Sequence, residues 1–97
     1  MSTYFLVHGA WVGAWSWEKV VPLLEAKGHK VKIIDLPGHG MDNTPINEVT
    51  LQAYADKVCQ ALDELDEQVI LVGHSMGGIV ISQAAEARPN KVEKLVY

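Results

Sequence analysis

Basic charge, cysteine and long apolar runs are all scarce in this chain, and each scarcity closes off a class of function. Eight Lys and Arg stand against twelve Asp and Glu, a formal net charge of -4, so there is no basic face for nucleic acid or for an anionic membrane. Cys59 is the single cysteine. It excludes an internal disulfide and leaves no cysteine pair for a zinc site, so no metal is expected and a reducing, cytoplasmic setting is the default. The N-terminus, Met1 to Val7, has no basic segment and only the apolar stretch Tyr4-Phe5-Leu6-Val7. Neither a signal peptide nor a membrane span is expected there. With 97 residues, one small domain is the most the chain can hold.

What is present is concentrated in Gly73-His74-Ser75-Met76-Gly77, a G-x-S-x-G pentapeptide between the apolar run Val69 to Val72 and a helix-like segment. This is the pattern of a nucleophile elbow. In such a turn the serine is held in a strained backbone conformation, and only glycines on both flanks leave room for the crossing chains. The hydroxyl then stands free at the C-terminal end of a strand.

The rest of the chain supplies a setting for that turn. Tyr4 to Val7 reads as a buried strand of a parallel sheet. Apolar positions Val20, Val21, Leu23 and Leu24 ahead of Gly28 predict a helix with a glycine stop, and Pro22 predicts that it starts late or kinks. Val31 to Leu36 is a second strand, closed by the turn Pro37-Gly38-His39-Gly40, and Met41 to Val49 is an irregular loop. Leu51, Tyr54, Ala55, Val58, Leu62 and Leu65 predict a one-sided helix with Thr50 as its N-cap. Gln68 to Val72 is the third strand and Met76 to Ala87 the helix after the elbow. Arg88-Pro89-Asn90 is a stop, and Val92 to Tyr97 is a fourth strand. This β-α-β-α-β-α-β order predicts an α/β fold, a doubly wound parallel sheet with right-handed crossovers and helices on both faces.

Acyl transfer needs a nucleophile, a base, a group to orient that base, and donors for the oxyanion. Ser75 is the candidate nucleophile. The N–H of Met76, at a helix N-terminus, is one candidate donor. His8-Gly9-Ala10-Trp11, at the end of the first strand, offers a second at Ala10. A dinucleotide site is excluded, because Gly9-Ala10-Trp11-Val12-Gly13 departs from G-x-G-x-x-G.

These segments, with Pro22-Leu23-Leu24-Glu25-Ala26, Gly28-His29-Lys30-Val31, Asp35-Leu36-Pro37-Gly38-His39-Gly40 and Val69 through Gly78, resemble the N-terminal part of an α/β-hydrolase. The likeness is to the small esterase and hydroxynitrile lyase group, which includes plant methyl-ester esterases and bacterial relatives, and it spans essentially the whole chain. It implies a serine hydrolase acting on a small carboxylic ester without a cofactor, and a strand order of second, first, third, fourth. Ligands then bind where that order reverses, beyond the ends of the first and third strands. It also implies that residues 1–97 are the N-terminal portion of one domain, with the catalytic acid and histidine later in the chain and little activity without them. The plant hydroxynitrile lyases of the group have threonine at the Gly9 position and glutamate at the His74 position, which favours ester cleavage here over the lyase alternative.

Plainer readings apply elsewhere. Gly9, Trp11 and His74 are candidate pocket residues, although Trp11, Trp15 and Trp17 serve equally well as packing. Each of the four histidines, His8, His29, His39 and His74, occupies a structural turn or strand end, and none replaces the missing base. Asp35 is expected to order the turn that follows it, not to act as a triad acid. Cys59, on the apolar helix face, reads as a small buried hydrophobe. The run Asp63, Glu64, Asp66 and Glu67 reads as a solvated surface. A rival, non-catalytic reading makes the last strand an open apolar edge through which the chain self-associates or is complemented by a C-terminal half.

Overall fold

The computed structural model describes residues 2–97. Four strands form one parallel sheet: β1 (Thr3–Val7), β2 (Lys30–Ile33), β3 (Val69–Gly73) and β4 (Val92–Val96), in the order β2-β1-β3-β4. Helix α1 (Val21–Ala26) connects β1 to β2, α2 (Leu51–Asp63) precedes β3, and α3 (Met76–Ala87) connects β3 to β4. The chain moves one way across the sheet from β1 to β2 and the opposite way thereafter. Right-handed crossovers therefore put α1 on one face and α2 and α3 together on the other.

Each element follows from its residues. Thr50 caps α2, its hydroxyl oxygen accepting from Ala53 N–H at 2.9 Å. Pro22 sits in the first turn of α1, where its missing N–H costs nothing. Gly28 closes that helix with φ +83°, and Gly28 N–H and His29 N–H donate back to the Glu25 and Leu24 carbonyls. That is a Schellman ending, which favours a residue without a Cβ.

Strand alternation sorts the core. Phe5 and Val7 of β1 and Val69 and Leu71 of β3 face Val58, Cys59, Ala61 and Leu62 of α2 and Val80, Ile81 and Ala84 of α3. Leu6 and Ile70, at intervening positions, are also buried. Both faces of the central strands are thus covered, as an all-parallel sheet requires. Cys59 is buried in this core, and burial pushes its thiol above the ordinary range, so the thiolate is disfavoured.

The other strands keep within one residue of the sequence expectation, and β2 departs from it most. The second strand ends at Ile33 and not at Leu36, because the next groups bond elsewhere. Leu36 N–H donates to the His8 ring, and the Asp35 carboxylate accepts from Ala14 and Met41 N–H. The first helix starts at Val21 with Pro22 in its first turn, as the proline predicts, and the tryptophan-rich stretch before it forms a 3-10 turn, Ala14–Trp17. β4 lies at the sheet edge, with Leu95, Val96 and Tyr97 exposed. Among the described residues no helix is long and apolar enough to cross a membrane.

Leu71 is wholly buried whereas Leu23 is 67% exposed. Leu71→Ala is expected to cost about 2–5 kcal/mol and Leu23→Ala less than about 0.5 kcal/mol. Urea denaturation of both variants checks the contrast.

Candidate active site

The elbow forms where β3 runs into α3. Ser75 has φ 56° and ψ -117°, a region that costs a non-glycine residue about 1–3 kcal/mol and persists only where the surroundings enforce it. Its neighbours show the enforcement. A Cβ on Gly73 would lie 2.5 Å from the Gly77 carbonyl oxygen, and one on Gly77 would lie 2.6 Å from the Val7 carbonyl oxygen. Backbone therefore touches backbone at both flanks. His74 N–H donates to the Val7 carbonyl at 3.1 Å, and Gly77 N–H donates to the His74 carbonyl at 2.9 Å. Ser75 is left exposed at the C-terminal end of β3.

The segment after β1 meets this turn. Gly9 is buried, and a Cβ there would lie 3.0 Å from His74 Nδ1 and 3.4 Å from Ser75 Cβ. A larger residue at Gly9 would press directly on His74 and Ser75. Ala10, the next residue, is exposed and joins Met76 in lining a cavity of about 500 Å³. The two candidate donors thus share one cavity, at the point where the strand order reverses between β1 and β3. Among the described residues, neither the Ala10 nor the Met76 N–H donates to a protein acceptor outside the regular helices and strands, and no side chain hydrogen-bonds Ser75 Oγ.

The opposite wall comes from the polar loop between β2 and α2. Gly38, His39, Thr44, Ile46 and Val49 line it together with Tyr54 of α2. Asp42 organises this loop: its Oδ1 accepts from Gly38 N–H at 3.0 Å and Thr44 N–H at 2.8 Å, and Lys57 lies 3.4 Å from Oδ2. The Thr44 hydroxyl and these amides hold its carboxyl well below the ordinary carboxylate range. Asp35 joins the two walls, accepting from Ala14 N–H at 2.8 Å and from Met41 N–H at 3.1 Å. It orders the turn after β2 as its sequence position suggested, and it also ties that turn to the loop after β1.

His8 is fully buried beneath these loops, with its ring 5.1 Å from that of His39. Burial is the main cause of its lowered pKa. Trp11 and Trp15 line the cavity, Trp11 being 95% exposed. Trp17 lies outside the lining, as do Gly9, His74 and Ser75 itself. Ser75 thus sits at the cavity's margin, next to Met76. Sequence reading missed His39, Thr44, Ile46, Val49 and Tyr54 as cavity residues. The only signal was the Pro37-Gly38-His39-Gly40 turn, because contact between a loop and a distant helix leaves no local pattern. Among the described residues, no group of three or more His, Cys, Asp or Glu gathers as a metal would need.

Known proteins share this fold. A family described as "Alpha/beta hydrolase family" matches residues 4–97, and the chain belongs to that family. It is 42% identical to Methylesterase 8 of Arabidopsis thaliana over 97 residues, covering 97% of this chain and 36% of the relative. It is 44% identical to Alpha-hydroxynitrile lyase of the same plant, covering 97% of this chain and 38% of the relative. The crystal structure of an Arabidopsis methylesterase, MES16, superposes with a TM-score of 0.93 at 35% identity, over 100% of this chain and 42% of that one. The chain therefore spans about two fifths of the length of the proteins it matches.

Two outcomes follow for stability. Gly40 has φ +54°, and a Cβ there would collide with the Asp35 carboxylate. Gly40→Ala is expected to cost at least about 1–3 kcal/mol in thermal or urea unfolding. His8 has its pKa lowered from 6.5, so the unfolded chain binds the proton more tightly. Its contribution is fully present above about pH 6.5 and is lost as pH falls below that value through the lower folded pKa, whereas the Asp42 contribution is lost only below about 3.8. Urea midpoints from pH 8 to 5 should fall, and this slope should flatten in His8→Asn.

Proposed function

We propose that the chain carries the nucleophile and oxyanion half of a serine esterase that cleaves a small carboxylic ester. Ser75 Oγ attacks the ester carbonyl, and the Ala10 and Met76 N–H groups stabilise the oxyanion. Each donor lowers the barrier by about 2.7–4 kcal/mol. The observation that carries this reading is the strained Ser75 at the edge of a cavity lined by both donor residues. Residues 1–97 are then the N-terminal portion of one α/β-hydrolase domain. The acid and the histidine that complete the site are supplied by a C-terminal portion.

Among the described residues, no base hydrogen-bonds Ser75 Oγ. Loss of a triad histidine costs up to about a millionfold in kcat, and the oxyanion hole with binding alone retains roughly 10³ to 10⁴ over water. A fluorophosphonate probe should label the uncut polypeptide and fail to label its Ser75→Ala variant. Labelling that survives the substitution would eliminate Ser75 as nucleophile. Overall identity does not separate esterase from lyase, since relatives of both names match the chain equally well. Gly9 and His74 support the esterase. Cyanide release from a cyanohydrin without hydrolysis of methyl esters would reverse that choice.

The exposed Leu95 and Val96 of edge strand β4 and Tyr97 just after it support a second reading, association of the chain through that edge. Sedimentation at tens of micromolar should then show a species heavier than the 10.7 kDa monomer, and a clean monomer would dismiss it.

A further inference from the structure

Both ring nitrogens of the buried His8 are engaged by backbone, each on a different loop. Nδ1 lies 2.8 Å from the carbonyl oxygen of Gly9, and Leu36 N–H donates to Nε2 at 3.0 Å. A carbonyl only accepts and an amide N–H only donates, so the pair selects the neutral ring with its proton on Nδ1. Burial disfavours the imidazolium, and a second ring proton would point at Leu36 N–H. The neighbouring His39 ring, 5.1 Å away, disfavours it further, while the Gly9 carbonyl and, less, the Asp35 carboxylate oppose these effects without overcoming burial.

The consequence lies one bond further on. A trans peptide is planar, so the Gly9 carbonyl and the Ala10 N–H point in opposite directions. Holding the carbonyl against a ring beneath the surface turns the Ala10 N–H outward, to the side where Ala10 and Met76 line the cavity. Gly9 fixes where this happens, because its Cα packs against His74 and Ser75.

We propose that His8 is a positioning residue whose Nδ1–H holds the Gly9–Ala10 peptide so that the Ala10 N–H faces an oxyanion formed at Ser75. This role rests on the reading of Ala10 as an oxyanion donor. His8 itself touches no reacting atom.

Two substitutions divide the ring's contacts. An asparagine amide reaches the Nδ1 position and can still donate to Gly9, whereas a glutamine reaches the Nε2 position and serves only Leu36. NMR of the ¹⁵N,¹³C-labelled chain should find His8 as the Nδ1–H tautomer. The Gly9 carbonyl and Ala10 amide shifts should be retained in His8→Asn and displaced in His8→Gln, with the amides of Val58 and Leu71 unmoved in both. An Nε2–H tautomer in the unsubstituted chain would overturn the assignment, whether or not either variant folds. So would an Ala10 amide unmoved in His8→Gln, or displaced equally in the two variants. None of these signals depends on turnover, so failure of the esterase reading and failure of the His8 role are separate outcomes.

Discussion

The close approach of the elbow to the end of β1 is the constraint on which the other features depend. Gly77 packs its Cα against the Val7 and His8 carbonyls, and Gly73 packs against the backbone of Gly77 and Gly78. These contacts leave no volume for side chains. The chain between β3 and α3 must therefore turn within two residues, His74 and Ser75, and Ser75 takes the positive φ that such a turn imposes. The same contact fixes the spacing between the two strand ends. Ser75 and Ala10 are brought near each other by backbone packing, not by any attraction between the two residues.

The cost of this geometry is offset by the core beneath it. Ser75 gains nothing locally from its conformation, and the burial of Phe5, Val7, Leu71, Val80 and Ile81 holds β1, β3 and α3 in place. The cavity above that core is held differently. Its walls are irregular segments rich in backbone groups that no ladder pairs, and half-buried carboxylates and a buried neutral ring pair them instead. Asp35 joins the loop after β1 to the turn after β2, Asp42 closes the loop that follows, and His8 bridges Gly9 and Leu36. An apolar core thus supports the turn at Ser75, while a polar network shapes the space in front of it.

Local chemistry left readable marks. Thr50 before an apolar helix face, Pro22 in a first turn, Gly28 after the last one, and Gly-x-Ser-x-Gly between strand and helix all identified their elements, because each depends on neighbours within a few residues. The strand order came from family resemblance, and the sheet has that order. Asp35 was recognised as a turn residue, but its bond to Ala14, which is 21 positions away, was not. Strand β2 was expected to run too long for the same reason: Ile34 and Leu36 look like strand residues, and only the His8 ring, far away in sequence, takes the Leu36 N–H from the ladder.

By itself, then, the sequence determined the alternation of strands and helices, the identity of the turning serine and the absence of a basic or disulfide-bonded surface. Periodicity, capping and composition act over short distances and are written in consecutive residues. The tertiary structure alone decided that Ala10 and Met76 line one cavity, that the loop through Thr44 and Val49 walls it with Tyr54, and that a buried His8 ring orders the peptide beside Ser75. Those relations join residues that are distant along the chain, and they exist only once the core has packed.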